Sequence, residues 1–159
     1  MKSTPQLAAI TAALFLTAAS FAQTPPPIPV PSQFTTAKTV FLASGAAIAA
    51  GAQDPLVSRE LYTAMATALI KDGHYHLVAA PADADLSMVV SAVAFVTDVS
   101  RGSGTSYAFV RLAIYDTKTN ALLWTIEEPV NIYLQQKDIG KVVPEVITDL
   151  DSLAASKVP

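Results

Sequence analysis

The chain has 159 residues, a formal charge of −3, 14% charged residues and no cysteine. That length suffices for one domain with a real core, and the absence of cysteine argues against a disulfide framework and against an acyl anchor, so the fold must rest on burial and backbone hydrogen bonding. The basic residues stand singly, as at Arg59, Lys71, Arg101 and Arg111, so no stripe tracks a phosphate backbone and no nucleic-acid partner is expected.

The first stretch, MKSTPQLAAITAALFLTAASFA, reads as a secretory signal peptide over residues 1–22. Lys2 supplies a short basic start, Leu7 to Ala19 form an apolar run too short to span a bilayer, and Ser20 and Ala22 are the small residues of a cleavage site. Cleavage near Ala22 would remove Lys2, take the charge from −3 to −4 and leave an exported product, periplasmic or secreted. No later stretch has the apolar length of a transmembrane helix. Residues 23–36 follow as a proline-rich linker. The five prolines of QTPPPIPVPSQ fix φ and remove donors, which favours extended polyproline II.

A single domain is expected over residues 37–155, with a short tail at 156–159. Thr39 to Ser44 read as a first strand and GAAIAAGAQD as a small-residue loop. Asp54-Pro55 then starts a helix, with an oxygen acceptor at the N-cap and proline at N1. Val57, Leu61, Met65 and Leu69 recur every fourth residue, a stripe that faces a core, and Gly73 ends the helix at C′ after Lys71 in the last turn. Tyr75 to Ala80 form a second strand, parallel to the first. Leu86 to Val99 form a long third strand with apolar residues on both faces. A hairpin loop at Arg101 to Ser106 leads into a fourth, YAFVRLAIYD. There Ala108, Val110, Leu112 and Ile114 alternate with Tyr107, Phe109, Arg111 and Tyr115. DTKTN turns the chain into ALLWTIEEPV, where Trp124 shares a register with Leu122 and Ile126 as part of the core. Helical period returns at Ile139, Val143, Val146, Leu150 and Leu153, with a kink or late start expected at Pro144 and Gly140 easing the clash. The order β-α-β-β-β-α implies an α+β fold, a mixed sheet of about five strands with two helices mainly on one face.

VFLASG, ELYTAMATALIKDGHYHLVAAPADADL and VRLAIYDTKTNALLWTI resemble a group of small exported bacterial proteins of mostly unassigned function. The most recognisable parts are the PADADL step and the D-x-x-T-x-x-x-x-W hairpin of Asp116, Thr119 and Trp124. The layout is similar to the α+β module of the curli-secretion lipoprotein CsgG and the N-terminal domain of TolB. That resemblance implies docking or assembly at the cell envelope through protein contacts, with no catalytic residues to carry over.

The residues themselves offer few rivals. Asp83 and Asp85 stand two apart, and on a strand would share a face where two carboxylates could hold a cation or divide acid and base roles. Pro81 just before them argues for a turn instead, where Asp accepts hydrogen bonds from nearby backbone. His74 and His76, also two apart, could chelate Zn²⁺ or Cu²⁺, with Asp72 or a nearby aspartate completing the set. The bland alternative is a pair of exposed histidines at a strand start. GSGTS lacks the lysine of a phosphate-binding loop, the glycines of SGAAIAAG do not make GxGxxG, and no GxSxG elbow occurs. Tyr107, Phe109, Arg111 and Tyr115 share one strand face. It is either an interaction surface or a face covered by a helix, with Arg111 bridging to Glu127 or Asp98. The sequence therefore points to a non-catalytic envelope protein with protein partners and without cofactor. The alternative is a metal-binding or hydrolytic periplasmic protein centred on His74 and His76.

Overall fold

The computed structural model describes residues 29–45, 48–49, 55–97, 105–130 and 136–156. The expected signal peptide, most of the linker, Asp54, Asp98, the Arg101 to Gly104 part of the hairpin loop and the last three residues of the tail lie outside the described residues.

The chain forms a short helix α1 (Gln33–Thr36), strands β1 (Thr39–Ser44) and β2 (Ile48–Ala49), helix α2 (Pro55–Asp72), strands β3 (His76–Leu77), β4 (Leu86–Thr97), β5 (Thr105–Asp116) and β6 (Leu122–Val130), and helix α3 (Gln136–Ala155). The sheet order is β3-β1-β4-β5-β6, with β2 also paired to β4. β1 lies parallel to β3 and β4, whereas β4, β5 and β6 form an antiparallel meander. This is the mixed sheet of an α+β fold. β2 falls in the stretch read as a loop. It runs parallel to β4 with Ile48 opposite Val93, while Ser44 of β1 stands opposite Val90. Four residues on one side therefore match three on the other, and the register slips by one between the two pairings. Gly45 is held at that point by its N–H on the Val90 carbonyl at 2.8 Å. A Cβ there would come within 2.9 Å of Val89 Cγ1 and 3.1 Å of Ser91 Cβ, so only glycine fits without displacement.

One face of the sheet carries the core. Val40 and Leu42 of β1, Leu86, Met88, Val90 and Ala92 of β4, Val110, Leu112 and Ile114 of β5 and Ile126 of β6 are buried in one cluster. The cluster also takes in Leu61, Met65 and Leu69 of α2 and Ile139, Val142, Val143, Val146 and Leu150 of α3. All three helices therefore cover the same face. The stripe expected on α2 is the one that packs, with Val57 half-buried at its start. Gly73 takes φ +78° and donates its N–H to the Leu69 carbonyl at 3.1 Å, the left-handed cap that glycine adopts most readily. Since β6 runs parallel to β1 and each helix returns antiparallel to the strand before it, α2 and α3 run side by side in the same direction.

Three expectations need correction. The linker boundary at Ala37 falls too late: Phe34 is 0% exposed, α1 packs on α3, and Val30 also reaches the core. The second strand shrinks from Tyr75 to Ala80 down to two residues. Tyr75 turns inward to become buried, and Pro81–Asp83 tightens into a 3₁₀ turn. Of the two outcomes expected at Pro144, the late start is excluded, since helix α3 begins before it and continues through it. Pro144 and Gly140 are both exposed, so water can take the carbonyl that proline leaves without a donor.

Candidate functional site

The sheet face opposite the helices is where the sequence left two readings open. Alternation along the strands puts Phe41 and Ala43 of β1, Ser87, Val89, Ser91 and Val93 of β4, and Phe109, Arg111, Ala113 and Tyr115 of β5 on that face. Register aligns them in rows: Phe41, Ser87 and Tyr115; Ala43, Val89, Ala113 and Thr125; Ser91, Arg111 and Glu127; Val93, Phe109 and Pro129. Phe41, Val89, Phe109, Arg111 and Tyr115 are half-buried, and Val93 and Ala113 between them are buried. Among the described residues no helix lies over them, so the helix-covered reading is overturned: the alternation that sends Val110, Leu112 and Ile114 under α2 and α3 sends the aromatic residues the other way. Tyr107 shares the register through its pairing with Phe95, but its side chain lies outside the described set.

One ion pair crosses this face. Arg111 Nε donates to Glu127 Oε1 at 2.7 Å from the directly opposite position, and the guanidinium sits 5.2 Å from the centre of the Phe109 ring. The pairing with Glu127 is the one of the two expected. It neutralises both charges in place, and the cation over the ring fixes the orientation of Phe109. Leu122, expected in the core beside Trp124, is 56% exposed. A bulge between Ile114 and Tyr115 brings Trp124 opposite Ile114 and Leu122 opposite Tyr115. Trp124 keeps its place on the core side, edge-on to Phe34.

The two aspartates of the PADADL step separate. Asp85 Oδ2 accepts the backbone N–H groups of Lys38 at 2.8 Å and Thr39 at 3.0 Å, while its own N–H donates to Thr39 Oγ1 at 3.0 Å. It clamps the first residue of β1 to the start of β4. Those hydrogen bonds hold its carboxyl below the ordinary range. A depressed pKa in the folded state means that this contribution is full above the ordinary carboxylate value and is lost as pH falls through the folded one. Asp85→Ala is expected to lower stability by about 1 kcal/mol at neutral pH, since the group is exposed and its bonds compete with water. Urea titrations of both proteins should then converge in acid. Asp83 is exposed in the 3₁₀ turn.

The hairpin motif is structural in the same way. Asp116 Oδ1 accepts the N–H of Lys118 at 2.9 Å and both the N–H, at 2.7 Å, and the hydroxyl, at 2.9 Å, of Thr119. Asn120 closes the turn at φ +55°, a conformation that asparagine tolerates better than most residues.

His74 and His76 are exposed and alternate with buried Tyr75, so they point away from the core. The His74 N–H donates to Asp72 Oδ2 at 3.2 Å, and its ring sits edge-on to that of Tyr75, 4.5 Å between centres. Among the described residues no three His, Cys, Asp or Glu side chains gather where they could hold a metal ion. Asp72 turns instead toward Asp151 of α3, a residue the sequence did not single out. On the far side of α3, burial and the neighbouring Asp149 and Glu145 carboxyls push Glu128 above the ordinary range. Tyr75 is pushed up to about 12 by burial, with the Asp151 and Asp72 carboxylates adding to the effect. Its hydroxyl donates to the Phe34 carbonyl at 3.4 Å.

These elements define a class: an α+β domain with helices on one face of a mixed sheet and, on the other, a partly aromatic face over which no helix lies among the described residues. No protein-family model matches the chain, and no curated protein matches it. Similar solved structures include the PelC dodecamer from Paraburkholderia phytofirmans, 14% identical over 76% of this chain and 91% of that one, with a TM-score of 0.48. The LpoB C-terminal domain from Escherichia coli is 17% identical over 60% of this chain and 84% of that one, TM-score 0.43. The lipoprotein GNA1162 from Neisseria meningitidis is 11% identical over 72% of this chain and 99% of that one, TM-score 0.41. All three are bacterial chains, and at these scores the likeness says nothing of what this chain binds. No helix among the described residues is long and apolar enough to cross a membrane.

Proposed function

We propose that this chain is a non-catalytic docking module of the bacterial cell envelope, acting through protein contacts on its open sheet face. The observation that carries the reading is that face itself. Phe41, Val89, Phe109 and Tyr115 share that face, no helix among the described residues lies over them, and the charges on β5 and β6 there, Arg111 and Glu127, are paired with each other. A surface with aromatic and arginine anchors and few unpaired charges is what the buried centre of a protein interface requires. The occupant is a protein presenting a complementary apolar patch. In layout the module would stand beside those of CsgG and TolB, with export by the amino-terminal signal.

Photo-cross-linking groups placed at Phe109 and Tyr115 test this in whole cells, with Thr148 on the helical side as control. The expected result is one discrete adduct from the sheet positions, absent from position 148 and lost when Arg111→Glu reverses the central charge. Equal capture from both sides would refute the assignment of the face. Metal binding in the micromolar range that disappears in His74→Ala/His76→Ala would move the function to the histidines.

A further inference from the structure

Helices α2 and α3 end together. Asp72 is the last residue of α2, at the negative end of that helix dipole, and Asp151 stands four residues before the end of α3. Between the helices runs a groove of about 1100 Å³ whose floor includes Ala64, Ala68, Ile139 and Val143. Asp72 and Asp151 line this groove at one end and also line a smaller recess of about 450 Å³ beside His74. Both residues therefore stand where the groove and the recess adjoin.

We infer that the Asp72–Asp151 pair is a proton-operated latch that joins the ends of α2 and α3 in acid and releases them toward neutral pH. With one proton shared, a carboxyl donates to a carboxylate and ties the helices together. When that proton leaves, two like charges face each other, one of them at the negative end of α2. The surrounding groups do not cancel this. Lys71 lies on the groove side, exposed to water. His74 acts against the protonated form of Asp151, and Tyr75 stays neutral throughout. Asp149 and Glu145, on the other side of α3, face Glu128. Burial first, then the charge of Asp72 and a hydrogen bond to it, hold the Asp151 carboxyl above the ordinary range, with His74 opposing weakly. A raised folded-state pKa stabilises the native state below the ordinary carboxylate value, and the benefit is lost as pH rises through the raised value.

Hydrogen exchange followed by mass spectrometry tests the latch on the whole chain, with rates corrected for the intrinsic pH dependence of exchange. Between pH 4.5 and 7.5, opening of residues 66–72 and 147–155 is expected to rise several-fold. The amino-terminal halves of α2 and α3 should not follow. Asp151→Asn, which keeps a hydrogen-bonding group and removes the charge, should flatten the rise, and so should Asp72→Asn if the first variant does not fold. An unchanged rise in the folded variant, no rise in the unaltered protein, or an equal rise throughout both helices would overturn the inference. So would a rise abolished by His74→Gln and untouched by Asp151→Asn.

Discussion

Phe34→Ala is expected to lower the stability of the domain by about 3–5 kcal/mol, the range for truncating a fully buried aromatic residue. On a domain of this size that corresponds to a fall in Tm of more than about 10 °C, measurable by calorimetry. Phe34 is 0% exposed, meets Trp124 edge to face with ring centres 6.4 Å apart, and offers its carbonyl to the hydroxyl of buried Tyr75. Helix α1 is only four residues long, far too short to persist without tertiary contacts. Removing the ring therefore loses the burial, the edge-to-face contact and the anchor of the whole turn. Gln33→Ala, a half-buried neighbour on the same turn, should change stability by no more than about 0.5 kcal/mol. If both variants melt together with the unaltered protein, the core does not extend to α1.

That result also marks where the sequence was legible. The stripe on α2, the alternation of β4 and β5 and the glycine cap are local patterns repeated several times over, and each repetition votes for the same face. Phe34 has no such company: one aromatic residue among prolines and threonines carries no period, and only the tertiary position of α3 makes it core. The two-residue β2 fails for the same reason, as does the bulge that exposes Leu122 while Trp124 stays at the core. The PADADL aspartates were readable because proline limits the backbone before them, although their separation into one clamp and one exposed residue depends on Lys38 and Thr39, more than forty residues away. The Asp72–Asp151 pair was invisible, since it joins helix ends that only the crossover topology brings side by side.

Acid pulls on the two ends of this fold in opposite directions. Protonation weakens the clamp of Asp85 on β1 and the turn held by Asp116, because hydrogen bonds keep both carboxyls below the ordinary range. The same protonation relieves Glu128 and Asp151, which burial first and then neighbouring carboxyls hold above the ordinary range. Falling pH therefore weakens the strand joints while it relieves the contacts of α3.

Val110→Asp and Phe109→Asp separate the two faces of β5 most sharply. Val110 is 0% exposed beneath the helices, between Ala92 and Glu128 on the neighbouring strands. An aspartate there forfeits about 2 kcal/mol of burial and places a carboxyl in an apolar site beside another acid. The unpaired group adds several kcal/mol more, enough to consume most of the 5–15 kcal/mol that holds a typical domain. The expected result is a chain that does not fold cooperatively, seen as loss of the thermal transition. One residue earlier, Phe109 points to the opposite face, where it is half-buried and Arg111 stands within range to pair with a carboxylate. Phe109→Asp is expected to cost about 1 kcal/mol, chiefly strand propensity and the lost contact with the guanidinium, and to keep the native circular dichroism. Partner capture at the face should nevertheless fail. Adjacent positions that differ by this much in stability can be reconciled only with a sheet that has one dry side and one side open to water. Equal cost at both positions would mean that the aromatic face is covered after all, and the docking surface would then have to be sought on the helices.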